Sequence, residues 1–288
     1  MGAAGKIKRY LKSISLKKEA VDNPVLYGSL LAGRTALVTG GTSGIGLSIA
    51  EAFARNGASV VITSRSQERI VAAVESVRGK VPDSRIEGIV FDSSTDNESE
   101  FARALDDAQR AIGSSLDILV NNAGVIRGGS VPSTTLEGFD QTIDTNLRGA
   151  YFLSQAFGKK LVSSGSTGNI LNICSSSSLR PAVSPYTVSK WGLRGITLGF
   201  AKSLAPHGIV VNGLAPGPTA TPMLMGDDDG NLVNEGVPVG RYATPEEIAN
   251  MAVILASDLS RMVIGDVVYM TGGCGNLTFD DMDYTFKL

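Results

Sequence analysis

"TALVTGGTSGIGLSIAEAFARNG", residues 35–57, is the stretch on which the fold turns. Its first residues are apolar and β-branched, as in a strand, and the segment after the glycines, to about Asn56, reads as a helix. Between them stand Gly40, Gly44 and Gly46. Glycine permits positive φ, lets backbone approach a phosphate closely, and leaves the N–H groups and dipole of a helix start facing an anion. A P-loop would place Lys and then Ser or Thr after Gly46, but Leu47 and Ser48 follow, so an ATPase or kinase reading fails at the lysine. The turn instead suits a dinucleotide pyrophosphate, with Gly40, Thr42, Ser43, Gly44, Ile45 and Gly46 as its cradle.

The second strand, "SVVITS", tests which dinucleotide. An acidic residue at its end would bind the two ribose hydroxyls of NAD, but Ser64 and Arg65 stand there. A guanidinium matches a 2′-phosphate with two parallel charge-assisted bonds, so NADP(H) is preferred and NAD(H) stays possible. A solvated loop arginine is the plainer reading of Arg65.

Further along, "IEGIVFD", "LDILVNNAG", "GNILNIC", "IVVNGLAPG" and "DVVYMTGG" alternate with helical patterns over 67–78, 98–112, 136–163, 185–204 and 245–256. Short strands rich in Val, Ile and Leu between helices mean βαβ units and a parallel sheet covered on both faces. The expected architecture is α/β: a single doubly wound Rossmann domain of about seven parallel strands. It spans 31–275, between a basic extension, 1–30, and a tail, 276–288.

Composition narrows the function. The 288 residues are 43% hydrophobic, enough for a sizeable core, and a net charge of −2 supplies no basic field for nucleic acid. The two cysteines, Cys174 and Cys274, and the lack of a signal-peptide pattern favour a cytoplasmic setting. No run approaches the roughly 18 apolar residues of a spanning helix. The single histidine, His207, lies between a helix and a strand, which suits a structural role better than that of a triad base. No metal site is expected, and Asp227, Asp228 and Asp229 read as solvated loop residues.

In "CSSSSLRPAVSPYTVSK", residues 174–190, Tyr186 and Lys190 fall at helical i,i+4 spacing after a run of serines. Taken alone the stretch is ambiguous between a solvated pair and a catalytic one. Its neighbours decide. "TGGTSGIG" at 39–46, "NNAG" at 121–124, Asn146 in "DTNLRGAYF", Tyr186-x-x-x-Lys190, "NGLAPGPTATPM" at 212–223 and "GRYATPEEIA" at 240–249 occur in one order. Over roughly 33–273 the chain thus resembles the short-chain dehydrogenase/reductase family of the classical type.

The resemblance implies an NADP-dependent carbonyl reductase or alcohol dehydrogenase. Asn146, Ser175, Tyr186 and Lys190 would be catalytic. Asp92 and Ser93, ending the third strand, would frame the adenine, and Asn122, Ala123 and Gly124 would line the cofactor cleft. The "PGPTAT" turn, with Pro216, Gly217, Thr219 and above all Thr221, would hold the carboxamide and phosphates. An ordinary tyrosine, with a pKa of about 10, is a poor base at pH 7, but a nearby ammonium and an oxidised nicotinamide favour its ionised form. Tyr186 would then exchange a proton with the substrate oxygen, and Lys190 would bond the nicotinamide ribose. Asn146, at a break in the preceding long helix, would hold a water. The family serine usually stands thirteen residues before the tyrosine, but position 173 is Ile. Ser175, eleven before, is preferred, with Ser176 and Ser177 next, which implies a loop two residues shorter than usual. Cys174 reads as a small buried filler.

Substrate choice is expected from "TPMLMGDDDGNLVNEGVPVG" and the serine-to-tyrosine loop, where Met223, Leu224 and Met225 offer apolar contact and Arg180 an anion site. The partner is a small carbonyl or alcohol, and a homotetramer or homodimer is expected. Phe279, Tyr284 and Phe286 in the tail would close a neighbour's cleft. In "KIKRYLKSISLKK", Ile7, Tyr10, Leu11 and Ile14 make a short basic amphipathic helix, read as a solvated arm in preference to a membrane-surface segment. The rival reading keeps the fold but uses it as an NADP-sensing regulatory or scaffold protein without turnover.

Overall fold

The computed structural model describes residues 28–225, 231–275 and 277. The basic N-terminal helix, the Asp227–Asp229 loop and the tail aromatics expected from the sequence lie outside these residues.

Seven parallel strands form one sheet in the order β3-β2-β1-β4-β5-β6-β7. They are β1 (Thr35–Val38), β2 (Ser59–Ser64), β3 (Ile86–Val90), β4 (Ile118–Asn121), β5 (Gly168–Ile173), β6 (Ile209–Pro216) and β7 (Val267–Met270). The longer helices are α1 (Gly44–Arg55), α2 (Gln67–Lys80), α3 (Glu98–Ile112), α4 (Leu136–Ile143), α5 (Gly149–Ser164), α6 (Pro185–Leu204) and, after the short α7 (Pro222–Met225), α8 (Pro245–Ala256).

Each central strand is apolar on both faces because successive side chains alternate sides. Val38, Val60, Ile62, Ile118, Val120 and Leu171 join a core with Ile49, Phe53, Ile70, Ile248 and Val253 of α1, α2 and α8. Their neighbours Leu37, Val61, Leu119 and Ile170 join a second core with Phe101, Leu105, Leu153 and Phe157 of α3 and α5. This matches the doubly wound sheet expected from the sequence. No helix among the described residues is long and apolar enough to cross a membrane.

Three local differences bear on the site. The helical stretch expected over 136–163 is α4 and α5 joined by a π-turn, Asp144–Arg148, which places Asn146 at its centre. A π-turn inserts a residue and leaves the i→i+4 ladder locally unmade. The helix expected over 67–78 continues to Lys80. The third strand ends at Val90, so Asp92 and Ser93 lie beyond it instead of ending it. Phe91 N–H donates to Ser64 O at 3.0 Å, and the Asp92 carboxylate then turns the chain by accepting from Ser94 N–H at 2.9 Å. His207 sits exposed in a 3-10 turn, Ala205–His207, before β6.

Strand order reverses between β1 and β4: the chain runs outward from β1 to β3, then returns to pair β4 with the other side of β1. The loops leaving those two strands therefore diverge and open a crevice at the carboxyl end of the sheet.

Candidate active site

The crevice is a cavity of about 660 Å³. Its floor is the turn after β1. Gly40 and Gly44 have φ of +61° and +52°, a region open chiefly to glycine. A Cβ on Gly46 would meet the Asn122 side-chain nitrogen and come within 2.5 Å of Gly40 O, so no larger residue fits there. Asn122 braces the turn: its Nδ2 donates to Thr39 O at 2.9 Å and Gly40 O at 3.1 Å. Thr39 Oγ1 accepts from the backbone N–H groups of Asn122 and Ala123, both at 3.0 Å, which ties the β4 loop to the glycine turn. Side chains of Ser66, Asn97, Thr135, Ser184 and Thr244 cap their helices, but Ser43 makes no such bond at the start of α1. The first N–H groups of α1 thus open onto the cavity, as an anion requires. These features fit a dinucleotide phosphate.

The remaining cofactor candidates take up the walls. Ser64, Arg65, Asp92 and Ser93 line one flank, at the ends of β2 and β3. Ser93 is fixed from behind, since a Cβ on Gly149 would strike its carbonyl and Arg148 Nη2 donates to Ser94 O at 2.7 Å. Ala123 and Gly124 of the β4 loop line the cavity, while Pro216 at the end of β6 and Gly217, Thr219 and Thr221 beyond it form the roof. Thr221 lies 3.4 Å from where a Gly44 Cβ would stand, so roof and floor approach each other at the phosphate cradle.

Ser184 caps α6 by accepting from Thr187 N–H at 3.2 Å, and Pro185 supplies the pre-set φ of its first turn. Tyr186 follows at once, with Lys190 one turn on, and both line the cavity. Lys190 is 5% exposed; its ammonium donates to Ile173 O at 2.8 Å and lies 5.6 Å from the Tyr186 ring centroid. Ser175 is the first residue of the wall after Cys174; its Oγ accepts from Ser177 N–H at 3.1 Å, which leaves its own O–H to donate into the cavity. Ser176 and Ser177 also line the cavity. Ser178 turns away to Tyr269 OH at 3.0 Å and is not part of the wall. Burial pushes the Cys174 thiol up to about 11, against the opposing charge of Lys190, so it stays protonated near neutrality.

Asn146 stands behind the cavity wall and is 1% exposed. Its Oδ1 accepts from Val125 N–H at 2.8 Å, and its Nδ2 donates to Val125 O at 2.9 Å and Ser189 Oγ at 3.1 Å. The side chain is thereby spent on holding the β4 loop to α6.

Sequence reasoning missed several lining residues. Arg69 lies in the first turn of α2, whereas Arg65 precedes the Ser66 cap in the loop after β2. Asn234 and Tyr242 enter from a small excursion closed by the Val233–Arg241 bridge, and no local pattern marks them. Met223 and Leu224 of α7 line the cavity as expected; Met225 is not part of its lining.

Fold and cavity together define a dinucleotide-binding α/β protein. A family model described as enoyl-(acyl carrier protein) reductase matches residues 40–275. Gluconate 5-dehydrogenase of Gluconobacter oxydans is 35% identical over 252 residues, covering 84% of this chain and 95% of that protein. The 3-oxoacyl-[acyl-carrier-protein] reductase FabG of Aquifex aeolicus is 33% identical, covering 84% and 98%. The crystal structure of a gluconate 5-dehydrogenase from Burkholderia cenocepacia, in complex with NADP and tartrate, superposes with a TM-score of 0.75 at 33% identity, covering 84% and 95%. The chain belongs to the short-chain dehydrogenase/reductase family, and these relatives are oxidoreductases.

Proposed function

We propose that the protein interconverts a ketone and a secondary alcohol with NADP(H), as a carbonyl reductase or alcohol dehydrogenase. The observation that carries this reading is the placement of Tyr186, Lys190 and Ser175 around one cavity whose floor is the uncapped start of α1. When bound, the dinucleotide supplies the hydride chemistry that no side chain of the chain provides.

The chain's own groups do the rest. Gly40, Gly44 and Gly46 let the backbone close on the pyrophosphate, and the free N–H groups of α1 meet its charge. Arg65, aided by Arg69, selects the 2′-phosphate and so NADP(H) over NAD(H). Ser175 donates its O–H to the substrate oxygen and stabilises charge developing there. Tyr186 gives a proton to that oxygen in reduction and removes it in oxidation. Lys190 keeps positive charge beside the Tyr186 ring, and its remaining N–H groups are free to hold the nicotinamide ribose. The side-chain amide of Asn146 is committed to Val125 and Ser189, so its part is to hold the β4 loop to α6.

Two relatives support the breadth of this reading: one acts on gluconate and one on 3-oxoacyl groups, both alcohol–ketone conversions by name. The test is Tyr186→Phe, followed by NADPH absorbance against a panel of ketones and by NADPH titration. Turnover is expected to fall at least a thousandfold while NADPH affinity stays within about threefold, since a phenyl ring keeps the packing and loses the proton. Retained turnover would refute the role of Tyr186.

A further inference from the structure

Ser178 is fully buried and has no part in the proposed chemistry, yet it reaches back to Ser175. Its hydroxyl donates to Ser175 O at 2.7 Å, and its backbone N–H donates to the same carbonyl at 3.0 Å. A serine hydroxyl carries one proton. With that proton given to Ser175 O, the 3.0 Å contact between Ser178 Oγ and Tyr269 OH runs from the tyrosine. The two bonds thus form a chain in one direction, Tyr269 O–H to Ser178 Oγ and Ser178 O–H to Ser175 O. In a buried setting such a chain strengthens each of its links.

Tyr269 anchors the far end. It stands in β7, in register with Ala215 of β6, and packs against the cluster that Cys174, Leu193 and Ala215 share. The edge of the sheet therefore grips the backbone of Ser175 through one hydroxyl. Elsewhere the same segment is held by α6, the helix of Tyr186. Lys190 donates to Ile173 O at 2.8 Å, Arg194 Nη1 to Ser178 O at 3.3 Å, and the Trp191 indole Nε1 to Arg180 O at 2.7 Å. Within the turn, Ser175 Oγ accepts from Ser177 N–H, so the direction of its own O–H follows from where the turn sits.

We infer that Ser178 and Tyr269 are positioning residues for Ser175, holding its hydroxyl where it meets the substrate oxygen beside Tyr186. This rests on the role of Ser175 in the oxidoreductase reading above. Neither residue lines the cavity, so both act through the backbone of Ser175. A hydrogen bond to a reacting oxygen weakens steeply as its angle departs from linear, and its worth lies in being aimed before the reaction begins. A turn released from β7 loses that aim and leaves the glycine floor intact.

The test uses the full chain, NADPH and a ketone that wild type reduces, with the variants Tyr269→Phe, Ser178→Ala, Ser175→Ala, and Ser175→Ala combined with Tyr269→Phe. Tyr269→Phe keeps the ring and is expected to lower kcat about tenfold, with KM for NADPH within about threefold of wild type. Ser178→Ala is expected to match it. Ser175→Ala is expected to lower kcat about a hundredfold or more. Adding Tyr269→Phe to Ser175→Ala should then cost less than about twofold further, because the group being positioned is gone. A tyrosine with a merely structural role would cost the same factor in both backgrounds. An undiminished loss in the Ser175→Ala protein therefore overturns the inference, as does an unchanged kcat in Tyr269→Phe. If Ser175→Ala alone keeps full kcat, or wild type oxidises NADPH with no ketone of any class, the reading beneath fails and this inference with it.

Discussion

Asn146 and Ser189, 43 residues apart, are joined by a buried hydrogen bond of 3.1 Å from the Asn146 amide to the Ser189 hydroxyl. That hydroxyl donates in turn to Tyr186 O at 2.7 Å. The β4 loop, the π-turn and the first turn of α6 are thereby one hydrogen-bonded unit. Ser189→Ala breaks both contacts and leaves one Asn146 proton unpaired, at a cost of about 1–3 kcal/mol. Thermal unfolding should show that loss, and kcat should drop about tenfold as Tyr186 loses its fixed position, with KM for NADPH nearly constant. An unchanged kcat would mean that Tyr186 does not depend on this link.

The glycine turn offers a sharper contrast. Gly46→Ala forces a methyl group against Asn122 and Gly40 O, whereas a Cβ at Gly79 in α2 meets nothing within 4 Å. The first substitution is expected to cost about 1–3 kcal/mol and to weaken NADPH binding at least tenfold. The second is expected to be neutral or to stabilise by about 0.4–1 kcal/mol, through reduced freedom of the unfolded chain. Calorimetry of the two variants side by side checks both signs.

Arg65 and Arg69 stand together at the flank where a 2′-phosphate would lie. Removing one charge-assisted contact costs about 1.5–3 kcal/mol. Arg65→Ala should therefore raise KM for NADPH roughly ten- to a hundredfold and leave KM for NADH near its wild-type value. Parallel loss with both dinucleotides would assign Arg65 a structural role.

At the start of α8, Arg241 donates to both Glu247 oxygens at 2.8 and 2.7 Å and holds that carboxyl below the ordinary carboxylate value, with burial opposing and the Thr244 N–H assisting. A carboxyl depressed on folding stabilises the native state above its unfolded value, near 4.5, and the contribution fades as pH falls through the lower folded value. Glu247→Gln is thus expected to cost about 1–2 kcal/mol at pH 7 and progressively less below pH 4. Urea denaturation at pH 7, 5 and 3.5 measures the difference, and a pH-independent gap would refute the linkage.

Because its thiol sits near 11, Cys174 should resist iodoacetamide at pH 7.5 in the native protein and react only on unfolding. Peptide mapping of the labelled chain decides this. Rapid native labelling would mean that the wall beside Ser175 opens.

Much of this was legible in the residues themselves. The glycine turn, the alternating strands and the Tyr186–Lys190 spacing are short-range patterns, and they were enough to indicate the doubly wound sheet and the end at which a dinucleotide would lie. Ser178 shows where that reading stops: within one serine run its hydroxyl is taken up by Ser175 O and by Tyr269 OH across the fold, whereas its neighbours face the cavity. The same holds for Asn146, whose amide is spent on Val125, and for Lys190, drawn to the end of β5. Local geometry follows from side-chain size and backbone preference over a few residues, so the chain's own order encodes it. Which distant groups meet depends on strand order and helix packing, and that the tertiary structure alone decided.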